Sequence, residues 1–173
     1  MICLTWVRRS SGAAIVVGDK VVAASAVGVR KYGTKTPVSQ DDPFHLGSIT
    51  KVLTATLIGM MVDDGVIGWN TNMENMFPEL TRSMQPAYRT VTVLQLLSHT
   101  GGFPFSPSMP MDQITARGKN GAERRYAYVK AAIADPPQAA PGTKVVYSGG
   151  PVVVIAYQVH NKGIDRGRDK KRC

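Results

Sequence analysis

Cysteine is nearly absent from this 173-residue chain, and its two copies, Cys3 and Cys173, stand at opposite ends. Thiols so placed argue against a disulfide framework and against a zinc site of C-x-x-C spacing; separately, the chain is read as using no metal and no cofactor. Long hydrophobic runs are missing as well. The longest, Val52 to Val62, is broken by Thr54, Thr56 and Gly59 and falls short of the ~20 residues that span a bilayer. The opening MICLTWVRRSSG places its few apolar residues before Arg8 and Arg9, the reverse of the order in a signal peptide. These absences predict a soluble chain without a membrane span or export signal, and they leave its cellular location open.

Acidic residues are scarce: 21 Lys and Arg against 12 Asp and Glu give a net charge of +9. An excess of that size suggests an acidic partner until its position is considered. In residues 162–173, Lys162, Arg166, Arg168, Lys170, Lys171 and Arg172 oppose only Asp165 and Asp169, a net of +4, which leaves +5 on the rest. The body has no run of like charge, no basic stripe and no aromatics interleaved with basic residues, so a nucleic-acid partner is not expected. At 43% hydrophobic the chain is too apolar for disorder, and its length suits one domain or part of a larger one.

Ala13 to Val17 and Val21 to Val29, separated by Gly18-Asp19-Lys20, predict a β-hairpin of two buried strands. A polar connection follows to Pro43. Ser48 to Asp64, closed by Gly65, predicts a helix; its apolar residues wrap around the cylinder, which predicts burial on all sides. Asn70 to Met76 reads as a short helix stopped before Pro78. Thr92 and Gln95 form a capping box opening a helix that Gly101-Gly102 ends. Phe103 to Gln113 reads as a proline-containing loop, Ala122 to Ala134 as an amphipathic helix, and Lys144 to Ser148 as a possible short strand. After Pro151 the valines favour a strand, whereas Pro at the first position and Gly163 at the end favour a helix, and helix is preferred.

Ser48 and Lys51 stand three apart at the N-terminus of the apolar helix, so both project from one face. This S-x-x-K places a nucleophile beside a candidate base. Ten Ser and ten Lys would produce roughly 0.6 such pairs by chance, so the pattern is weak alone. Lys51 is the only charge in the first four turns, and a low dielectric there would lower its pKa and free its amine to take the Ser48 proton. The Ser48 N–H, at the positive end of the helix dipole, could supply half an oxyanion hole. The plainer alternative is a Ser N-cap with a lysine reaching solvent.

FHLGSITKVLTATLIGMMVDDGVIGWN, LLSHTGGFP and PGTKVVYSGG resemble, in that order, three segments of class C β-lactamases and their relatives, the penicillin-binding-protein-like esterases and peptidases. GAAIVVGDKVVAASAVGVRKYG resembles that family's first two strands, so the likeness covers about residues 12–157. It implies an α+β, β-lactamase/transpeptidase-like fold: an antiparallel sheet flanked by helices, with an all-helical region at about 66–140. The resemblance makes Ser48 the acylated nucleophile, with Lys51 and Tyr147 sharing the proton transfer. It also implies a small acyl substrate: a β-lactam, an ester or a D-amino-acid peptide. A tyrosine of pKa near ~10 would need a cation such as Lys51 to serve as a base. His99 and His45 are expected to be turn or core histidines.

The pattern departs from the family at two places. Gly149 stands where the Y-x-N motif has Asn, or a one-residue deletion has removed that Asn and aligned Gly149-Gly150 with the small residues after it, and no Lys/His-x-Gly motif follows on a later strand. The expectation is therefore an N-terminal part of such a hydrolase, incomplete at the C-terminus, with little or no activity alone. A basic tail from about residue 158 would be a frameshifted or cut end. An unpaired sheet edge could support self-association. The competing reading is a non-catalytic member that acts as an interaction or acyl-binding module.

Overall fold

A computed structural model describes residues 10–158, which divide between Gly47 and Ser48 into two units. The first holds the predicted hairpin, β1 (Ser11–Val17) antiparallel to β2 (Lys20–Val27). Gly18, with φ 62°, occupies the first central position of the two-residue turn, where a tight hairpin needs a left-handed residue. The register runs from Ser11↔Val27 to Ile15↔Ala23 and then slips, so that Val16 faces Val21. The extra residue on β2 is a bulge, which increases local twist.

Burial of these strands does not occur. Ile15, Val16, Val17, Val21, Val22 and Val27 are all exposed. A two-stranded sheet has two faces and needs another layer on at least one of them, and β1 and β2 form the only sheet among the described residues. The loop that follows is closed locally by the Val29↔Pro37 bridge and by the Arg30 Nε–Asp42 Oδ2 ion pair at 2.8 Å.

The second unit is helical. In α1 (Ile49–Asp63), capped by Ser48 and Asp64, the predicted helix appears with its ends one residue inside the expected limits. Its burial differs from the expectation: only Thr54 and Ile58, four apart on one face, are buried. Ile49, Val52, Leu53, Leu57 and Met60 lie exposed. Hydropathy marks what a helix can bury, but neighbouring elements decide what it does bury, and here they cover one side.

Capping residues set the shorter helices. Asn72 accepts the Asn75 N–H at the start of α2 (Met73–Met76). Thr92 and Gln95 form both bonds of the capping box of α3 (Val93–Leu97), at 3.2 and 3.0 Å. α4 (Met111–Ala116) begins inside the segment expected to be a loop, directly after Pro110. A proline there ends the preceding segment while leaving the helix free to start, because the first turn has no use for its N–H. α5 (Gly121–Ala134) follows its cap, Asn120.

Residues 150–158 form α6, so the helical reading holds over the described part of this segment. Gln158 is buried and donates from Nε2 to the Met76 carbonyl at 2.7 Å, which brings it within the helical unit. Residues 144–148 form no strand: of their backbone groups, Val146 N–H pairs with the His99 carbonyl, and no strand lies alongside. The core joins Met73, Phe77, Tyr88, Leu96, Phe103, Val129, Ile133 and Ile155, with the Tyr88 and Phe103 rings stacked at 4.3 Å. The basic residues expected to form a tail, 162–173, lie outside the described residues.

Candidate active site

Two segments that are distant in sequence are joined along one seam. Gln138 N–H donates to the Gly102 carbonyl (2.9 Å), Gly142 N–H to that of Thr100 (2.8 Å) and Val146 N–H to that of His99 (2.8 Å). LLSHTGG supplies the acceptors and the stretch around PGTKVVYS the donors. Gly102 is required at its place: φ is 80° and a Cβ there would collide with the Ala139 carbonyl oxygen. Through this seam the irregular segment 144–148 is held in position, and with it Tyr147.

At the start of α1, Ser48 makes no side-chain capping bond. Its Oγ instead accepts the Tyr147 O–H at 2.9 Å and the Lys51 Nζ at 3.3 Å. The Lys51 ammonium lies 4.9 Å from the centroid of the Tyr147 ring, within cation–π range. Thus Ser48, Lys51 and Tyr147 meet at one oxygen, although Tyr147 lies 99 residues from Ser48. Among the described residues the Ser48 N–H has no acceptor, as befits the first turn of a helix.

The hydrogen bond with Ser48 lowers the Tyr147 phenol below its ordinary pKa, and the neighbouring Lys51 lowers it further. Hydroxyl protons are free to reverse between two such oxygens, so the same contact can carry a proton from Ser48 to a phenolate. The dry sleeve expected around Lys51 is not present. Lys51 is half-buried, and its neighbours Val52 and Leu53 face outward.

His99 stands nearer this constellation than a turn histidine need do. Its ring lies 4.7 Å from that of Tyr147, tilted 43°, and its Nδ1 is 3.5 Å from the Ser148 N–H. Burial, then the charge of Lys51, lower its pKa and favour the neutral ring. The sequence signal for His99 was its place in LLSHTGG, and its spacing from Tyr147 gave none. His45 makes a local turn contact, accepting the Gly47 N–H at Nδ1.

Gly149 precedes the first residue of α6, and Val153 N–H donates to its carbonyl at 3.2 Å. The Asn amide is absent here, and a Cβ on Gly149 would meet only the Tyr128 hydroxyl, at 3.8 Å, an ordinary contact. Among the described residues no group of three or more His, Cys, Asp or Glu could hold a metal ion, and no helix is long and apolar enough to cross a membrane.

Residues 6–160 match the Beta-lactamase family. Penicillin-binding protein 4 of Amycolatopsis lactamdurans is 40% identical over 94 residues, covering 53% of this chain and 24% of that protein. The D-amino acid amidase from Ochrobactrum anthropi SV3 has a similar fold, with TM-score 0.65 at 24% identity, over 89% of this chain and 40% of that one. A D-stereospecific amidohydrolase from Streptomyces sp. gives TM-score 0.60 at 26% identity, over 88% and 43%. The chain therefore spans less than half the length of each of these relatives. With its hairpin, its helical unit and a match over nearly its whole length, the chain has the β-lactamase/transpeptidase-like α+β fold and belongs to the beta-lactamase family.

Proposed function

We propose that this chain carries the acylating residues of a serine hydrolase acting on a β-lactam, an ester or a D-amino-acid amide or peptide. The observation that carries the reading is the convergence of Tyr147 and Lys51 on Ser48 Oγ. Ser48 Oγ attacks the acyl carbonyl carbon, and its proton passes to the Tyr147 phenolate, which the Lys51 ammonium steadies. The Ser48 N–H steadies the oxyanion of the tetrahedral intermediate. Collapse of that intermediate breaks the bond to the leaving group, which takes the proton back. Water then hydrolyses the acyl-enzyme and regenerates Ser48. The names of the amidase and amidohydrolase relatives favour carbonyls of D-amino acids among the three substrate classes.

Slow turnover by this chain alone is part of the proposal. One missing oxyanion donor costs ~100- to 1000-fold in rate, and the Ser48 N–H is the one donor proposed here. The family match runs over residues 6–160, which includes α6, and the basic residues 162–173 follow it in sequence. A second reading, acyl binding without hydrolysis, is favoured by Gly149 in place of Asn. Mixing the protein with a p-nitrophenyl ester separates the two. Acylation predicts a burst approaching one equivalent of p-nitrophenol, absent in Ser48→Ala; a non-catalytic module predicts no release dependent on Ser48.

A further inference from the structure

We propose that His99 is the positioning residue for Tyr147, holding the phenol at Ser48 through contacts with three consecutive residues. This rests on the reading of Ser48 and Tyr147 as the reacting pair. The His99 carbonyl accepts the Val146 N–H at 2.8 Å, its ring lies against the Tyr147 ring at 4.7 Å, and its Nδ1 faces the Ser148 N–H at 3.5 Å. One residue thus touches the backbone on either side of the tyrosine and the tyrosine itself.

The clamp matters because the other contacts of the Tyr147 side chain, with the Ser48 hydroxyl and the Lys51 ammonium, are themselves exposed. Its side chain is 53% exposed, and residues 144–148 belong to no strand or helix. A phenol on an irregular, exposed segment would sample several orientations, and displacement of ~1 Å can cost as much as a hundredfold in rate. His99 is also the one non-glycine residue with positive φ, 58°, among those described. Side chains rarely adopt that conformation, although Asn, Asp and His do so several times more often than others. Of these three, His alone offers both a ring face to Tyr147 and a ring nitrogen to Ser148. An Nδ1 that accepts must be unprotonated, which places the proton on Nε2. Burial and the Lys51 charge both act in favour of that neutral ring.

The test is a tyrosinate titration by ultraviolet absorbance on the whole chain, with Tyr147→Phe identifying the Tyr147 transition. In the parent protein one phenol should ionise below the ordinary value of ~10. In His99→Ala it should move up toward that value, and Ser48 acylation should slow roughly tenfold or more, while the far-ultraviolet circular dichroism is unchanged. His99→Asn tolerates the left-handed backbone and offers an amide oxygen to Ser148, so it should recover part of both. A folded His99→Ala with the titration and acylation of the parent overturns the inference. Where His99→Ala does not fold, an unshifted phenol in His99→Asn overturns it equally. If Ser48→Ala leaves acyl transfer intact, the catalytic reading fails. The titration still reports whether His99 holds Tyr147.

Discussion

Tyr147 joins the geometry of the site to its pH dependence. Its phenol is lowered by the Ser48 hydroxyl and by Lys51, so at a given pH more of it is ionised than of a free tyrosine. The phenolate is the form that can take the Ser48 proton. Acylation should therefore rise with pH and level off below ~10, the ordinary tyrosine value. In Tyr147→Phe the rise assigned to this group should vanish and the rate fall by ~100-fold or more, the usual range for a lost general base. Stopped-flow acylation across the pH range measures both. Ser48 and Lys51 were legible as a pair because three-residue spacing on a helix is a local relation. Tyr147 was legible only by resemblance, since no local pattern predicts a contact across 99 residues.

At the scale of elements, a helix start marked by a local capping bond was readable and the burial was not. Thr92 and Gln95 declare their helix through a bond between neighbours in sequence, and the structure forms both halves of it. Burial of α1 and of the hairpin depends on what packs against them, which no local pattern contains. α4 was hidden by Pro110, which reads as a breaker although it also favours the start of a helix. Gly149 permits a direct test at such a helix start. Gly149→Asn has room for its Cβ and places a preferred residue at the N-cap of α6. Stability should change by no more than a few tenths of a kcal/mol in its favour, because Gly is itself a tolerated cap. If the amide missing from the Y-x-N pattern is what limits the chemistry, acylation should quicken in the same variant. A melting curve and a burst measurement on the same variant check the two effects separately.

At the scale of the whole molecule, exposed apolar surface is the feature that composition alone concealed. Ile49, Val52, Leu53, Leu57 and Met60 on α1, and six valine and isoleucine side chains on the hairpin, face outward. Exposed apolar side chains on a helix face promote association, and so, separately, do open sheet edges. The protein should self-associate as concentration rises, and the double variant Val52→Lys, Leu57→Lys should shift light scattering toward the monomer. Net charge, by contrast, says little about function: +4 of the +9 lies in residues 162–173. The central proposal is that Ser48 is a nucleophile served by Tyr147, which the seam between LLSHTGG and residues 144–148 holds in place. Intact-mass analysis after exposure to a fluorophosphonate tests it most directly. The account predicts one adduct, mapped by peptide sequencing to Ser48 and lost in Ser48→Ala; no adduct on the folded protein, or an adduct retained in Ser48→Ala, would contradict it.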